Sequence, residues 1–280
     1  MAFAFAGASA LDYFPCSYGS SRLTFRGPKR PLEAPFVAVL GGTETYGKFV
    51  TDPYPVITER RTGRMLVNFG CVNSGPDAFL QDREITALAG GAELTVVQIM
   101  GAANLSNRFY AVHPRRNDRF LRASPWLRTL YREVDFTEFH FTRHMLHGLR
   151  DVSPERFDLV VTELRAAWIT RMKELLARLQ GQVLLLWMAD HPPVASDMPP
   201  DLSRDPLLVD AAMIDAVRPA ANAYLEVVYS DAARSEGLGN LCFSGFERPA
   251  AEGVPGTRAH REVAEALSMA IDRLLTRQKQ

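Results

Sequence analysis

The stretch "GGTETYG" at residues 41–47 places a threonine hydroxyl in a glycine-rich turn directly after an apolar run. The hydroxyl of Thr43 is a candidate nucleophile or ligand-binding group, provided that a base lies near it. Other groups capable of nucleophilic or acid–base chemistry follow later apolar runs or open the last helical pattern: Cys71, Asn73, Ser74, Asn104, Asp190, His191, Asp231 and His260. Whether they can act together depends on the elements that position them.

Five short apolar runs predict buried strands at 35–40, 65–70, 93–100, 182–189 and 224–230. They are rich in valine, leucine and isoleucine and do not alternate with polar residues, which is typical of strands covered on both faces in a parallel sheet. Helical patterns separate them: one over 76–91, one from an N-capping Ser153 to Gly181, one starting at Asp205, and one closing the chain. This alternation predicts an α/β fold with a doubly wound, mostly parallel five-stranded sheet in three layers, as in flavodoxin.

We predict a single α/β domain over residues 1–280, because no change of composition marks a linker. Two segments exceed a minimal sheet: an N-terminal arm at 1–34 and an insertion at 102–152. Long connections of this kind usually carry function or cover a site. In an open α/β sheet, ligands bind beyond the carboxyl ends of the strands. We therefore expect the strand-end residues to share one rim, with the insertion over it.

The bulk composition limits the classes of partner. The chain has 32 basic and 32 acidic residues, so its net charge of zero gives no general attraction to nucleic acid or to a membrane. Its three separated cysteines argue against a disulfide framework and indicate a reducing compartment. No segment has the roughly 20 apolar residues of a membrane helix, and the N-terminus lacks the basic start of a signal peptide. We expect a cytoplasmic protein that binds no nucleic acid, metal or cofactor and does not span a membrane. The sequence does not indicate whether it is a monomer or an oligomer.

Local charge is less even, because arginines concentrate in the arm and in the insertion. "SYGSSRLTFRGPKR" contains Arg22 and Arg26, and "NRFYAVHPRRNDRF" contains Arg108, His113, Arg115 and Arg116. Guanidinium groups bind carboxylate, phosphate or sulfate through two parallel hydrogen bonds. These six side chains therefore predict an anionic small-molecule substrate. The alternative is a solvated surface, or pairing with the nearby Asp118, Glu133 and Asp135.

The order of the strand-end motifs resembles that of the SGNH, or GDSL-like, hydrolases, which are single-domain α/β proteins. "GGTETYG" is similar to the family's GDSxTxG motif, "NFGCVNSG" to its Asn-x-Gly segment, "GAANLSN" to its Gly-x-Asn segment and "TRAH" to its Asp-x-x-His pair. The resemblance runs from about residue 35 to the C-terminus. It implies an SGNH-like fold and an ester hydrolase or acyl-type transferase, acting on an anionic small molecule or a glycan- or lipid-type substrate.

The same resemblance implies roles for individual residues. Thr43 takes the position of the nucleophile, His260 that of the general base, and Gly70 and Asn104 those of the oxyanion stabilisers. We expect three neighbouring residues of these motifs to bind substrate, namely Glu44, Thr45 and Asn73.

Three departures from the family pattern weaken this expectation. Thr43 stands in place of the serine, Gly42 in place of the aspartate before it, and Thr257 in place of the triad aspartate. The extra methyl group of threonine crowds the path of attack. Disabling the triad aspartate in a serine protease costs on the order of 10⁴ in rate, so His260 needs another carboxylate.

These departures leave alternative functions open. The protein is a hydrolase if Asp231 or Glu252 supplies a carboxylate to His260. Otherwise it is a catalytically degenerate SGNH-like protein that binds an anionic ligand, or a sulfuryl- or phosphoryl-type transferase. A structural partner protein is a third hypothesis. A carboxylate within hydrogen-bond reach of His260 distinguishes the first hypothesis from the second.

Long segments of the chain are also similar to a group of alphaproteobacterial proteins. They include "DYFPCSYGSSRLTFRGP" at 12–28 and "REVDFTEFHFTRHML" at 132–146. This second resemblance implies no activity.

Overall fold

The computed structural model describes residues 11–276. The described strands are β1 (Val37–Gly41), β2 (Leu66–Gly70), β3 (Leu94–Gln98), β4 (Tyr110–His113), β5 (Arg116–Ala123), β6 (Val183–Ala189) and β7 (Ala223–Val228). Five of them form a sheet in the order β2-β1-β3-β6-β7, in which every neighbouring pair is parallel. This is the flavodoxin-like, doubly wound order, and it confirms the predicted fold class.

The helices connect these strands. They are α1 (Thr43–Tyr46), α2 (Tyr54–Thr62), α3 (Pro76–Leu80), α4 (Arg83–Gly90), α5 (Pro125–Leu130), α6 (Thr142–Val152), α7 (Pro154–Arg178), α8 (Ala211–Val217), α9 (Asp231–Arg234), α10 (Arg248–Ala251) and α11 (Thr257–Thr276). The helix predicted over 76–91 is two helices, because Asp82 caps a new one at Ile85 N–H. The helix predicted from Asp205 starts later, where Asp210 caps α8. No described helix has the length and apolar composition needed to cross a bilayer.

Alternate residues of each central strand enter two separate cores. Val37 and Val39 of β1 pack beneath α2 and α11, whereas Ala38 and Leu40 face the layer formed by α7 with α3, α4 and α8. Successive side chains of a strand point to opposite faces, so unbroken apolar strands are the expected consequence of two covered faces. The largest buried side chain in the α7 layer is Trp168.

The arm packs into the core on the α7 side. Tyr18, Leu23 and Phe25 are buried, and the ring of Phe25 contacts that of Phe69 in β2 at a centroid distance of 5.4 Å. The arm is therefore part of the packed structure from residue 11 onward. A single domain over 1–280 stays a prediction, since residues 1–10 and 277–280 lie outside the described residues.

The insertion consists of a β4–β5 hairpin followed by α5 and α6. Tyr110, Phe120 and Phe136 are buried in the same core as the arm. The fully buried Asn117 ties the hairpin to the start of α3, because its side-chain oxygen accepts the N–H groups of Gly75 and Ala78, at 2.9 and 3.1 Å. This anchor places the neighbouring Asp118 at the carboxyl edge of the sheet.

Candidate functional site

A cleft of about 810 Å³ opens at the carboxyl ends of the parallel strands. Four of the predicted site residues line it: Thr43, Glu44, Asn73 and Asn104. Further polar residues line it as well: Lys48, Ser74, Gln98, Asp118, Thr142, Arg143, Asp190, Ser203, Arg204, Asp205, Arg234 and Glu252. They come from both sides of the sheet edge, from the insertion and from the segment before α11, so the cleft collects groups that are distant in sequence.

The Thr43 hydroxyl is held by Asn73. Its Oγ1 donates to Asn73 Oδ1 at 3.1 Å and accepts the Asn73 N–H at 2.9 Å. The Asn73 amide donates through Nδ2 to the Asp118 carboxylate at 3.0 Å, which fixes the orientation of the amide. An amide oxygen is not a base. Thr43 therefore lacks the partner that would take its proton during nucleophilic attack.

Asn104 continues the same polar wall. Its Nδ2 donates to the Asn73 backbone carbonyl at 3.1 Å, and its Oδ1 accepts the Thr142 hydroxyl at 2.8 Å. Asn73 itself has a left-handed backbone, with φ of 57°, a conformation that asparagine adopts more readily than most residues. The wall presents amide and hydroxyl groups that recognise polar atoms without carrying charge.

Gln98 at the end of β3 fixes the position of Glu44. Its Oε1 accepts the Gly42 N–H at 2.9 Å and the Thr45 hydroxyl at 2.6 Å. Because the oxygen is committed, the amide nitrogen faces Glu44 and donates to Oε2 at 2.8 Å. Thr45 is fully buried and also bonds the Tyr54 hydroxyl at 2.8 Å. In correction of its predicted substrate contact, Thr45 lies beneath the cleft and supports Gln98.

The environment of Glu44 favours its protonated form. Desolvation raises the pKa of its carboxyl above the ordinary 4.5, and the Asp205 charge adds to this, while the Gln98 hydrogen bond and the Arg143 charge oppose it. Gly42 provides the space for this arrangement, because a Cβ there would lie 3.0 Å from Glu44 Oε2. A carboxyl with a raised pKa in a cleft is typical of a proton-transfer group.

His260 is not placed as a general base, which corrects the expectation from sequence. It is 1% exposed, it does not line the cleft, and its Nδ1 accepts the Tyr54 N–H at 3.1 Å. Its ring stacks on that of Tyr54 with centroids 6.0 Å apart. Burial lowers the pKa of His260 to about 3. Since Nδ1 is an acceptor, it cannot donate to a carboxylate, and Asp231 and Glu252 pair with arginines instead.

Gly70 does not supply an oxyanion donor to the cleft. Its N–H donates to Asn68 Oδ1 at 2.8 Å, and it is absent from the lining of the cleft. A Cβ at this position would lie 2.3 Å from the Tyr46 nitrogen. Glycine is therefore needed for the close approach of β2 to α1, which corrects the role predicted for it.

Arg26 is a structural clamp rather than an anion-binding residue. Its Nη1 donates to the carbonyls of Gly47 and Val50 at 2.6 and 2.8 Å, and Nη2 donates to that of Thr51 at 2.7 Å. The side chain thus ties the arm to the loop after α1. Its donors are occupied by backbone oxygens, which removes it from the predicted substrate contacts.

The other five predicted anion-binding side chains also lie outside the cleft. Arg108 pairs with a carboxylate of α7 at 3.6 Å. The Nδ1 atom of His113 accepts the N–H groups of Arg115 and Arg116, each at 3.2 Å, and so closes the turn of the hairpin. The side chains of Arg22, Arg115 and Arg116 are exposed. Within β4 and β5, the side chain that does line the cleft is that of Asp118.

Arg26→Ala is expected to lower the free energy of unfolding by about 3 kcal/mol, because three backbone carbonyls lose a charged donor. The matched control is Arg22→Ala, an exposed position where the change is expected to stay within about 0.5 kcal/mol. Urea unfolding followed by circular dichroism measures both. Equal losses in the two variants would contradict the clamp.

Several reactive-looking side chains have structural partners. His144 stacks edge-on against Phe139, and His147 faces Arg150 through Nδ1. Burial raises the pKa of the Cys71 thiol to about 12, which is typical of a buried apolar group rather than a reactive thiol. Among residues 11–276, no group of three or more histidine, cysteine, aspartate or glutamate side chains is arranged to hold a metal ion.

Sequence reasoning missed several residues of the cleft, and three of them shape the site. Gln98 fell inside a predicted strand, and only the exact end of β3 reveals that it reaches the rim. Asp118 depends on the hairpin anchor, for which the sequence has no local signal. Arg143 binds both carboxylate oxygens of Asp205 at 2.6 Å, a long-range pair between the insertion and the segment before α8.

The model of a family described as "Domain of unknown function (DUF6473)" matches residues 1–275. The sequence matches none of the curated proteins with which it was compared.

Three solved structures are similar to the chain. A carbohydrate acetylesterase family member from Sinorhizobium meliloti is 8% identical, with 87% of this chain and 100% of that chain covered and a TM-score of 0.45. A protein of Desulfitobacterium hafniense DCB-2 described as lipolytic, of the G-D-S-L family, is 10% identical, with 84% and 99% covered and a TM-score of 0.38. A salicylyl-acyltransferase from a tetracycline biosynthetic pathway is 10% identical, with 88% and 58% covered and a TM-score of 0.40.

Proposed function

The chain belongs to the DUF6473 family, and we propose that it is an ester hydrolase or acyl transferase whose proton-transfer group is Glu44. The observation that carries this proposal is the desolvated carboxyl that Gln98 holds in the wall of the cleft. A raised pKa makes the ionised carboxylate a stronger base near neutral pH. This function needs neither Thr43 as a nucleophile nor His260 as a base.

The proposed step uses one proton and one acyl group. Ionised Glu44 accepts a proton from a water molecule, or from an acceptor hydroxyl, while that oxygen bonds to the carbonyl carbon of the ester. The bond between this carbon and the leaving oxygen then breaks, and Glu44 returns the proton to the departing alcohol. The products are an acid or a new ester and a free alcohol.

The lining of the cleft supports a neutral, hydroxyl-bearing substrate. Asn73, Asn104 and Thr142 offer uncharged hydrogen-bonding groups. Four cationic side chains also line the cleft, but three of them pair with carboxylates, as Arg143 does with Asp205. Cations that are already paired contribute little to binding an anion. We therefore favour a glycan-type ester over the anionic substrate expected from the arginine-rich stretches, and over sulfuryl or phosphoryl transfer.

Ligand binding without turnover is the second candidate function. Two observations favour it. The Thr43 hydroxyl both donates a hydrogen bond to Asn73 and accepts one from it, and His260 is buried outside the cleft. No carboxylate bonds Nδ1 of His260, so the feature required for a serine-hydrolase type of triad is missing among the described residues. The same amide-lined cleft would then bind the neutral ligand without cleaving it.

A panel of short-chain aryl esters and acetylated sugars tests the two candidates, with Thr43→Val as an isosteric variant. We expect the wild-type protein to turn over at least one ester. We expect Thr43→Val to lose about tenfold or less, because only the hydrogen bonds that orient Asn73 disappear.

Two outcomes would contradict this proposal. An acyl group attached to Thr43 in the wild type, with complete loss of turnover in Thr43→Val, would identify a nucleophile. No turnover by the wild type, together with a rise in melting temperature on adding an acetylated sugar, would favour the binding function.

A further inference from the structure

One segment of the chain carries a strong excess of positive charge. Residues 108–132 contain seven arginines and one aspartate, with no lysine or glutamate, in a protein whose net charge is zero. The aspartate, Asp118, lies in the cleft and bonds Asn73. The positive charge is therefore not balanced within the segment.

The hairpin directs part of this charge away from the core. Its buried pairs are Tyr110 with Ala123 and Val112 with Phe120, so these side chains point inward. The other pairs, Ala111 with Arg122 and His113 with Arg116, therefore occupy the outer face. Arg116 and Arg122 are both exposed, near opposite ends of the hairpin.

Six exposed arginines of this segment form no salt bridge with any residue that the structure describes. Among the described residues, no carboxylate lies within 4.0 Å of the charged groups of Arg115, Arg116, Arg119, Arg122, Arg128 or Arg132. The first acidic residue after the segment is Glu133, and it forms a salt bridge with Arg156. A cluster of uncompensated cations of this kind is attractive to an extended negative surface.

Large apolar side chains lie among these cations. Trp126 in α5 is 70% exposed and Leu121 in β5 is 55% exposed. Arginine with exposed tryptophan and leucine is the composition of surfaces that lie in the headgroup region of a bilayer. Scattered hydrophobic residues need no explanation, but here they coincide with the charged cluster.

We infer that the exposed surface of β5 and α5 that carries Arg116, Arg119, Leu121, Arg122 and Trp126, here called the hairpin face, docks the protein on an anionic lipid surface. Arginines bind the phosphate headgroups, and the two apolar side chains enter the interface between headgroups and acyl chains.

The hairpin face is continuous with the cleft. The Arg119 guanidinium lies 4.8 Å from the ring centroid of Phe141, and Phe141 lines the cleft. Docking would therefore bring the mouth of the cleft close to the lipid surface. The inference goes beyond the proposed function and does not depend on Glu44.

Co-sedimentation of the full chain with vesicles tests the inference. The probes are vesicles of phosphatidylcholine alone and of equimolar phosphatidylcholine and phosphatidylglycerol. We expect binding to the anionic vesicles only, with a partition coefficient that falls as salt is added. The double variant Arg116→Gln/Arg122→Gln is expected to reduce this coefficient roughly thirtyfold, and Trp126→Ala is expected to reduce it independently.

A matched control removes two arginines from another surface. Arg60→Gln/Arg61→Gln in α2 deletes the same charge from exposed residues that pair with carboxylates, and its partition coefficient is expected to stay at the wild-type value. Equal binding to both vesicle types, or equal losses in the two double variants, would overturn the inference. The inference would also be overturned if inorganic phosphate released the protein from the vesicles more strongly than other salts of the same ionic strength. A dimer in solution that Trp126→Ala dissociates would overturn it too. The vesicle assay uses no ester, so its result can be interpreted even if the protein lacks the proposed activity.

Discussion

Glu44→Gln is expected to reduce the turnover of the ester by a hundredfold or more, with little change in KM. General acid–base catalysis contributes roughly 10²–10⁴ in rate, and an amide cannot accept the proton. The glutamine side chain retains an oxygen that can accept the hydrogen bond from Gln98, so the shape of the cleft is preserved. Steady-state kinetics of the purified variant measure the effect.

The pH profile identifies the group that is lost. If Glu44 is the base, kcat/KM of the wild type rises with pH as the carboxyl ionises. This inflection lies above the ordinary 4.5 of a glutamate, because desolvation raises the pKa. The residual activity of Glu44→Gln is expected to lack the inflection, whereas a merely structural role would lower activity and leave the inflection in place.

Glu44→Gln also has a predicted effect on stability. A carboxyl with a raised pKa binds more protons in the native state than in the unfolded state, so stability falls as pH rises above 4.5 through the native pKa. The neutral variant lacks this loss. We expect the variant to gain stability relative to the wild type across this interval, and to keep a constant advantage above it, as measured by thermal unfolding.

The matched control for Glu44 is Glu252→Gln, the same substitution at another carboxylate that lines the cleft. Glu252 is exposed and pairs with Arg248, so turnover is expected to change less than about threefold, since exposed ion pairs are worth little. Similar losses of turnover in the two variants would indicate a general effect of cleft charge and would contradict a specific role for Glu44.

His260→Ala is expected to lower the free energy of unfolding by about 4 kcal/mol, through a lost acceptor and a cavity beside Tyr54. The Tyr54 N–H is buried and bonds Nδ1 of His260, so the variant leaves that donor without its partner. A catalytic histidine at the mouth of a cleft would behave differently: its removal would abolish turnover with little effect on stability. Urea unfolding together with the ester assay separates the two.

His260→Asn is the conservative control. The asparagine side-chain oxygen can take the position of Nδ1 and accept the Tyr54 N–H, so roughly half of the loss is expected to be recovered. Turnover is expected to follow the folded fraction in both variants. If His260→Asn kept full stability but lost all turnover, His260 would be a catalytic residue after all.

The buried histidine also makes the fold sensitive to acid. Its pKa is lowered from 6.5 to about 3, so between these values the unfolded state binds more protons and stability falls as pH falls. The slope is at most about 1.4 kcal/mol per pH unit. We expect this dependence of stability on pH to disappear in His260→Asn. Above pH 4.5, Glu44 contributes a dependence of the opposite sign.

The fold could be predicted from sequence because strand burial depends on local composition. Runs such as 35–40 and 182–189 are apolar on both faces, as strands of a parallel sheet covered on both sides are, and the helical patterns between them favour that arrangement. The predicted ends of the five strands agree with those in the structure to within one or two residues. The split at Asp82 was missed because an N-cap competes with continuation of a helix, and the pattern of apolar residues does not show which prevails.

The site was harder to predict because it depends on which hydrogen-bonding group each side chain already uses. The sequence placed Thr43 and Asn73 at the rim, but their mutual hydrogen bonds require the left-handed backbone of Asn73. His260 and Gly70 occupy the expected elements, yet Tyr54 and Asn68 take their hydrogen-bonding groups. The arginines were misassigned because their partners depend on tertiary packing: Arg26 donates to backbone carbonyls, Arg108 pairs with a carboxylate of α7, and the others are exposed outside the cleft.

The glycine at position 42 has a consequence for how this cleft could evolve. A Cβ there would lie 3.0 Å from Glu44 Oε2, so a side chain at 42 would require the Glu44 carboxyl to shift by a few tenths of an ångström. An aspartate at 42 would also place a second negative charge beside Glu44, which would raise the pKa of the Glu44 carboxyl further. Position 42 is therefore coupled to the chemistry at position 44, and the two positions are expected to change together as such a cleft evolves.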